Sequence, residues 1–247
     1  MLWQKNPITV VGNLDRCWLF TYRTPVELAR TLLPRPLELV IYGKYAFWNV
    51  VVCHIRSMRP KHFPAFVGVH YWHLAYRLYA RLPLAHGEAI EGLYFLRSDC
   101  DQRLMVLAGN LLTDFHFHFA SLQLQQDQEA LEIQLDSPDA PAHVRLLANV
   151  TPRLEPHSAF SSLNEATAFL KYKPYGLSLN SAGHANVVHI TRDEQAWRSR
   201  LMQVECANWA FLREYDVQPE ICYEVEPIRY QWDRGRISAP RSEKSAR

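Results

Sequence analysis

Residues 71–81 read YWHLAYRLYAR. Laid out as a strand, the stretch puts Trp72, Leu74, Tyr76, Leu78 and Ala80 on one face and His73, Ala75, Arg77 and Tyr79 on the other. An arginine set among aromatic residues inside a β-barrel is a natural anchor for a substrate carboxylate, because its fork is bidentate and permanently charged. The plainer alternative is an arginine whose stem packs on the aromatics while its head reaches water. Both readings of Arg77 stay open at this point.

Working outward, strand signals dominate. Upstream, Thr24-Pro25-Val26-Glu27 combines a hydroxyl N-cap, a proline with helical φ and a capping-box glutamate, so a short helix is expected with Leu28, Leu32 and Leu33 on one face. Leu37 to Tyr42 and Tyr45 to Arg56 read as strands joined by Gly43-Lys44. Prolines 60 and 64 make Met58 to Val69 an ordered loop. Downstream, a turn near His86-Gly87 precedes a strand from Ile90 to Leu96, and Asp101 caps a helix with Leu104, Leu107 and Leu111 in one stripe.

Asp114 to Leu124 reads as a strand containing FHFHF, followed by Gln128 to Leu135 and His143 to Val150 in a meander. Ser162-Leu163-Asn164-Glu165 opens a further helix that ends before Pro174. Leu177 to Leu179, Val187 to Thr191, Leu201 to Leu212 and Ile221 to Trp232 complete the strands. Many strands and three short helices predict an α+β, mainly β fold, with a closed or heavily curled sheet and helices packed on it. Residues 1–233 are expected to form one domain, and the basic stretch 234–247 a disordered tail.

Composition supports a packed chain: 247 residues, 48% hydrophobic and 12% aromatic. A net charge of +2 provides no electrostatic case for nucleic acid or an acidic membrane surface. The five cysteines are scattered and never form C-x-x-C, which argues against a disulfide framework and a thiolate zinc site. No signal peptide is visible, and the most apolar run, Tyr45 to Cys53, is far shorter than the roughly 20 residues of a membrane helix. A cytoplasmic protein is predicted. The nine glycines form no nucleotide-binding loop, and no nucleophile elbow or H-E-x-x-H is present.

His116 and His118 share one face of the FHFHF strand, with Phe115, Phe117 and Phe119 turned the other way. The pair suits an acid–base role in a cavity, a metal site if a third ligand arrives from a neighbouring strand, or a solvated outer face. His70 and His73 face opposite ways, so a shared metal is not expected. Tyr94, Arg97, Asp99 and Asp101 cluster at a strand-to-helix junction, where an aspartate serves as N-cap and Tyr94 is placed to bond a ligand.

The order of LLPRPLELVIYGKYAFWNVVV, MRPKHFPAFVGVHYWHLAYRLYAR, GLYFLRSDC, FHFHF and SLNEATAFLKYKPYGLSLNSAG resembles the uncharacterised YqjF-like family, from about Pro25 to about Trp232. That resemblance implies the acetoacetate decarboxylase-like superfamily, a cone-shaped β-barrel with an interior cavity and a few flanking helices. In the decarboxylases a pair of adjacent lysines follows the helix, one forming a Schiff base and the other lowering its pKa. The matching stretch, Thr113 to Phe119, has no lysine, and His116 sits near the nucleophile's place. The chain's lysines are at 5, 44, 61, 171, 173 and 244, away from strand faces, so Schiff-base decarboxylation is not expected.

The expectation is therefore a cavity for a small carboxylate or carbonyl compound. Arg77, Tyr79 and His118 would bind it, and His116 and Tyr94 would supply lysine-independent catalysis, with no cofactor and no metal. It requires Arg77 and His116 to point into one enclosed cavity. The alternative is a non-catalytic ligand-binding or interaction protein of the same fold, whose aromatic residues form a dry core or a homodimer interface. A metal-dependent enzyme ranks third.

Overall fold

A computed structural model describes residues 5–84, 87–180 and 182–238. The first half comprises β1 (Val10–Pro25), α1 (Val26–Arg30), β2 (Glu38–Leu39), β3 (Ile41–Tyr42), β4 (Tyr45–Pro60), β5 (Val69–Pro83), β6 (Ala89–Cys100) and α2 (Arg103–Leu112). There follow β7 (Phe117–Phe119), β8 (Ser121–Gln126), β9 (Ala130–Asp136), β10 (Ala142–Leu147) and α3 (Leu163–Phe169). The chain continues through β11 (Tyr175–Leu179), β12 (Ala185–Arg192), β13 (Ser199–Trp209), β14 (Gln218–Val225), β15 (Ile228–Trp232) and β16 (Arg236–Ser238).

The strands form one 16-stranded sheet in which β4, β5, β6, β11, β12, β15 and β1 follow one another, and a β1–β4 pairing closes the circuit. β1 makes a branch possible. On one edge it pairs β4 along its length; on the other it pairs β15 through Val10–Leu14 and β14 through Cys17–Arg23. From β14 the sheet runs on through β13, β10, β9 and β8. This branch lies over the outside of the ring.

β1, β4 and β5 are therefore covered on both faces, and alternation sorts their side chains between two cores. Cys17, Leu19, Val51, Cys53, Ala75 and Tyr79 belong to the inner core, with Phe95 and Tyr230. Trp18, Phe20, Val50, Val52, Leu74, Tyr76 and Leu78 belong to the outer one, against Ile133, Leu135, Val144 and Leu146 of the branch. The two-face division expected for 71–81 is the one observed. Gly43, at φ +58°, occupies the left-handed region needed by the tight β3–β4 turn.

Two buried charge clusters tie long loops to the sheet. Arg23 pairs with Glu220 at 2.8 Å, and Glu220 also accepts from the Ala159 amide and the Ser158 hydroxyl. Arg97 forks onto Asp99 and, at 2.8 Å, onto Asp139.

Several local expectations are corrected. Thr24 donates its hydroxyl to the Tyr215 carbonyl instead of capping α1, whose buried residues are Val26 and Ala29 while Leu28 is exposed. Asp101 does not cap α2 either. Its carboxylate accepts from the Trp72 amide, and α2 begins after Gln102 without a side-chain cap. The expected Met58 to Val69 loop is shorter than read, since β4 runs on to Pro60 and β5 begins at Val69, leaving a loop over 61–68 with a short 3-10 turn at Ala65–Val67. The FHFHF run is not one strand. His116 lies at φ +53°, outside β7, and the Asn110 side chain bonds both the amide and the carbonyl of Phe117.

The 201–212 segment leaves strand at Trp209 for a 3-10 turn, and Pro227 lies in the break between β14 and β15. Of the stretch expected to be a disordered tail, Arg236–Ser238 instead pairs with β12; His86 and residues 239–247 lie outside the described residues. No helix among the described residues is long and apolar enough to cross a membrane.

Candidate functional site

β5 carries Arg77 into the ring, opposite Asn49 of β4. Arg77 Nη2 donates to Asn49 Oδ1. Asn49 Nδ2 in turn donates to the Tyr79 hydroxyl at 3.3 Å, and that hydroxyl donates to the Leu170 carbonyl at 2.7 Å. The guanidinium lies 5.4 Å from the centre of the Phe95 ring. Arg77 is 4% exposed, and its Nε has no partner among the described residues. Burial pulls its pKa down; the groups opposing this are Tyr172, Cys53, Cys17 and Tyr79, none of them a carboxylate. A cation removed from water without a counter-charge costs several kcal/mol, at about the level seen for broken buried pairs.

The residue faces a cavity of about 50 Å³. His73, two strand repeats back on the same face, lines it at 6% exposure, stacked on Phe117 with centroids 5.4 Å apart. Burial, aided by the Arg77 charge, pulls the His73 pKa down to about 3, so the imidazole is neutral. Its Nε2 has no partner among the described residues, and neither do the Tyr230 hydroxyl and Trp232 Nε1, which line the same cavity. Cys17 and Cys53 also line it as thiols. Burial pushes Cys17 up to about 12 and Cys53 well above its ordinary value.

Arg192 bounds the cavity as well, but its charge is accounted for. Its guanidinium lies 4.0 Å from the Tyr172 ring centre and 3.5 Å from that of Trp197, with Nε donating to Glu194 at 3.0 Å. A second lobe of about 130 Å³ adjoins the first and shares Ile55, His73, Tyr230 and Trp232 with it. Four buried polar groups thus converge on one interior space with hydrogen-bonding capacity unused, an arrangement that native cores otherwise avoid.

The expected residues are only partly gathered here. Arg77 lines the cavity, and Tyr79 stands behind it, reached through Asn49. Tyr94 is half-buried and packs on the separate cluster of Leu82 and Leu177; it does not line the Arg77 cavity. His116 and His118 are exposed and line neither lobe. Phe115 is buried as expected, but Phe119 is 40% exposed under the Arg103 guanidinium.

The required meeting of Arg77 and His116 in one cavity is not observed, and the imidazole beside Arg77 is His73. The strand alternation of 71–81 already set His73 on the Arg77 face, so that partner was legible in the sequence. Tyr230 and Trp232 arrive from β15, where the alternation Ile228-Arg229-Tyr230-Gln231-Trp232 sets both on one apolar face, but nothing local joins that face to Arg77. Among the described residues no three His, Cys, Asp or Glu side chains are grouped to hold a metal. Lys5 bonds the carbonyls of Asn110 and Leu111, and Lys173 pairs with Glu91; among the described residues no lysine lines either lobe.

Comparison with known proteins bears on the fold. A family profile described as an uncharacterized conserved protein (DUF2071, COG2071) matches residues 13–230. Among solved structures, an acetoacetate decarboxylase-like enzyme from Sphingomonas wittichii RW1 superposes with a TM-score of 0.61 at 11% identity, covering 95% of this chain and 94% of that one. Acetoacetate decarboxylase from Legionella pneumophila gives 0.61 at 14%, covering 97% and 92%. The enduracididine biosynthesis enzyme MppR complexed with pyruvate gives 0.56 at 11%, covering 97% and 93%. No curated protein matches. At these identities the likeness establishes the acetoacetate decarboxylase-like fold.

Proposed function

We propose, for a chain that belongs to the DUF2071 family of uncharacterized conserved proteins, that the ring interior binds a small carboxylate or carbonyl compound seated on Arg77. One observation carries the reading: a guanidinium 4% exposed, bonded to a neutral amide and otherwise facing a cavity with Nε unpartnered. A ligand carboxylate would supply the missing counter-charge and take a forked bond. The His73 imidazole, the Tyr230 hydroxyl and Trp232 Nε1 add unused polar atoms on the same wall, fit for a carbonyl or second oxygen. A neighbour of the same fold, MppR, is complexed with pyruvate, itself an oxo carboxylate.

Any turnover at this site is lysine-independent, since no lysine lines it. In that chemistry His73 and Tyr230 take the places first given to His116 and Tyr94. All five cysteines are free thiols, which suits a reducing, cytoplasmic setting.

The test is thermal unfolding of wild type and Arg77→Met with propionate, pyruvate and larger carboxylates. A ligand at a hundred times its Kd adds about 2.7 kcal/mol, or about 5–10 °C in a chain of this size. The expected result is a rise in wild type that disappears in Arg77→Met. No rise with any carboxylate, or the same rise in both proteins, overturns the assignment.

The second reading, a protein contact, has its own observation. Leu104, Leu107 and Leu111 form the expected stripe on α2, yet they are 62%, 69% and 63% exposed. An apolar face of this kind suits a homodimer interface.

A further inference from the structure

The two lobes differ in chemistry as well as size, and this points to the class of ligand. The Arg77 lobe, at about 50 Å³, has room for only about three to five water-sized groups, counting about 10–15 Å³ for each. That suits a carboxylate and one or two carbons. The second lobe lies between the ring and α2, and its wall is formed largely by Val10, Met58, Met105, Ala108, Leu112 and Phe115. At about 130 Å³ it approaches the roughly 150 Å³ apolar cavity known to hold a benzene molecule. Two methionines in its wall add surfaces able to adapt to an irregular apolar group.

The shared wall sets the geometry between the lobes. His73 and Tyr230 are 6% and 5% exposed, and each places an unpartnered polar atom at the junction. A molecule spanning both lobes would put its charged end on Arg77, pass these two groups, and bury an apolar end beneath α2.

Building on the carboxylate reading above, we infer that the natural ligand is an amphipathic carboxylate. Its acid group is separated by one or two carbons from a phenyl-sized or branched aliphatic group of about six carbons, and that group fills the α2 lobe. Small oxo acids such as pyruvate would occupy the Arg77 lobe alone and bind weakly. Each methylene buried in the second lobe contributes about fourfold in affinity. Burial of a whole phenyl-sized group, whose ring carbons gain less than methylenes, amounts to a hundredfold or so.

Calorimetric titration with propionate, 3-phenylpropionate and 3-phenylpropanol tests this in wild type, Arg77→Met, Ala108→Leu and Met105→Phe. Ala108 is half-buried on α2, and its enlargement narrows the lobe without touching Arg77. Met105→Phe fills the same lobe from the preceding turn and serves if Ala108→Leu does not fold. In wild type, 3-phenylpropionate should bind about a hundredfold tighter than propionate. Either filling variant should cut that ratio at least tenfold while leaving propionate binding unchanged. Equal binding of the two acids in wild type, or a ratio insensitive to both filling variants, overturns the two-lobe inference while leaving the Arg77 site intact. If 3-phenylpropanol binds as tightly as the acid, or Arg77→Met binds both acids unchanged, the carboxylate reading itself fails.

Discussion

His73→Phe should make the protein less sensitive to acid, and the size of the effect follows from the site. The folded His73 has its pKa pulled from 6.5 down to about 3, chiefly by burial and then by Arg77. The groups against it are the strand partners Cys53 and Cys100, with Phe117 stacked on the ring and Arg77 the charged neighbour. Because the folded pKa is the lower one, the unfolded chain takes up this proton first. The contribution of His73 to stability is thus complete above pH 6.5 and is lost as pH falls toward 3.

At pH 5 the unfolded side chain is about 1.5 units below its pKa while the folded one remains neutral, a loss of about 2 kcal/mol relative to pH 8. In a chain of this size that is about 4–8 °C in Tm. Phenylalanine keeps a flat ring against Phe117, and the Nε2 it removes has no hydrogen bond to lose. Unfolding of wild type and variant at pH 8 and pH 5 isolates the difference, since the other histidines are common to both proteins. The variant should lose about 2 kcal/mol less than wild type on acidification. Equal losses would mean that His73 ionises in the folded protein as it does in water, and the dry, cationic environment described here would be wrong.

Two further outcomes are expected. Borohydride reduction in the presence of pyruvate should leave the protein mass unchanged, because no lysine lines either lobe; a reduced adduct mapped to a lysine would refute lysine-independent chemistry. Leu107→Glu, in the middle of the exposed α2 stripe, should move a sedimenting dimer to monomer, with stability altered by only about 0.5 kcal/mol. A wild-type protein that remains monomeric at about 100 μM discards the homodimer reading, because stable interfaces associate well below that concentration.

Much of the fold was legible because backbone periodicity is local. The alternation in 71–81 sets Arg77, Tyr79 and His73 on one side and Trp72, Leu74 and Tyr76 on the other, whatever surrounds the strand. The Gly43-Lys44 turn and the Ser162 cap are likewise short-range, and Ser162 Oγ accepts from the Glu165 amide at 3.2 Å. The lysine-free stretch from Thr113 to Phe119 could also be read directly, and with it the expectation of lysine-independent chemistry.

What a face meets is a different matter, and only the tertiary structure decided it. The same 3.6-residue spacing that aligned Leu104, Leu107 and Leu111 leaves them in solvent, because the side of α2 carrying Met105 and Val106 packs on the inner core. His116 and His118 drew attention by their spacing, but a left-handed residue at 116 ends the strand pattern and both imidazoles face outward. Arg77 became buried through closure of β1 onto β4, which seals its strand face inside a ring with no carboxylate among its charged neighbours. Tyr230 and Trp232 joined it from β15 across that ring. Spacing along the chain determines which side chains share a surface; dehydration and the absence of a neighbouring carboxylate are properties of the surfaces brought together, and on those the proposed anion site at Arg77 rests.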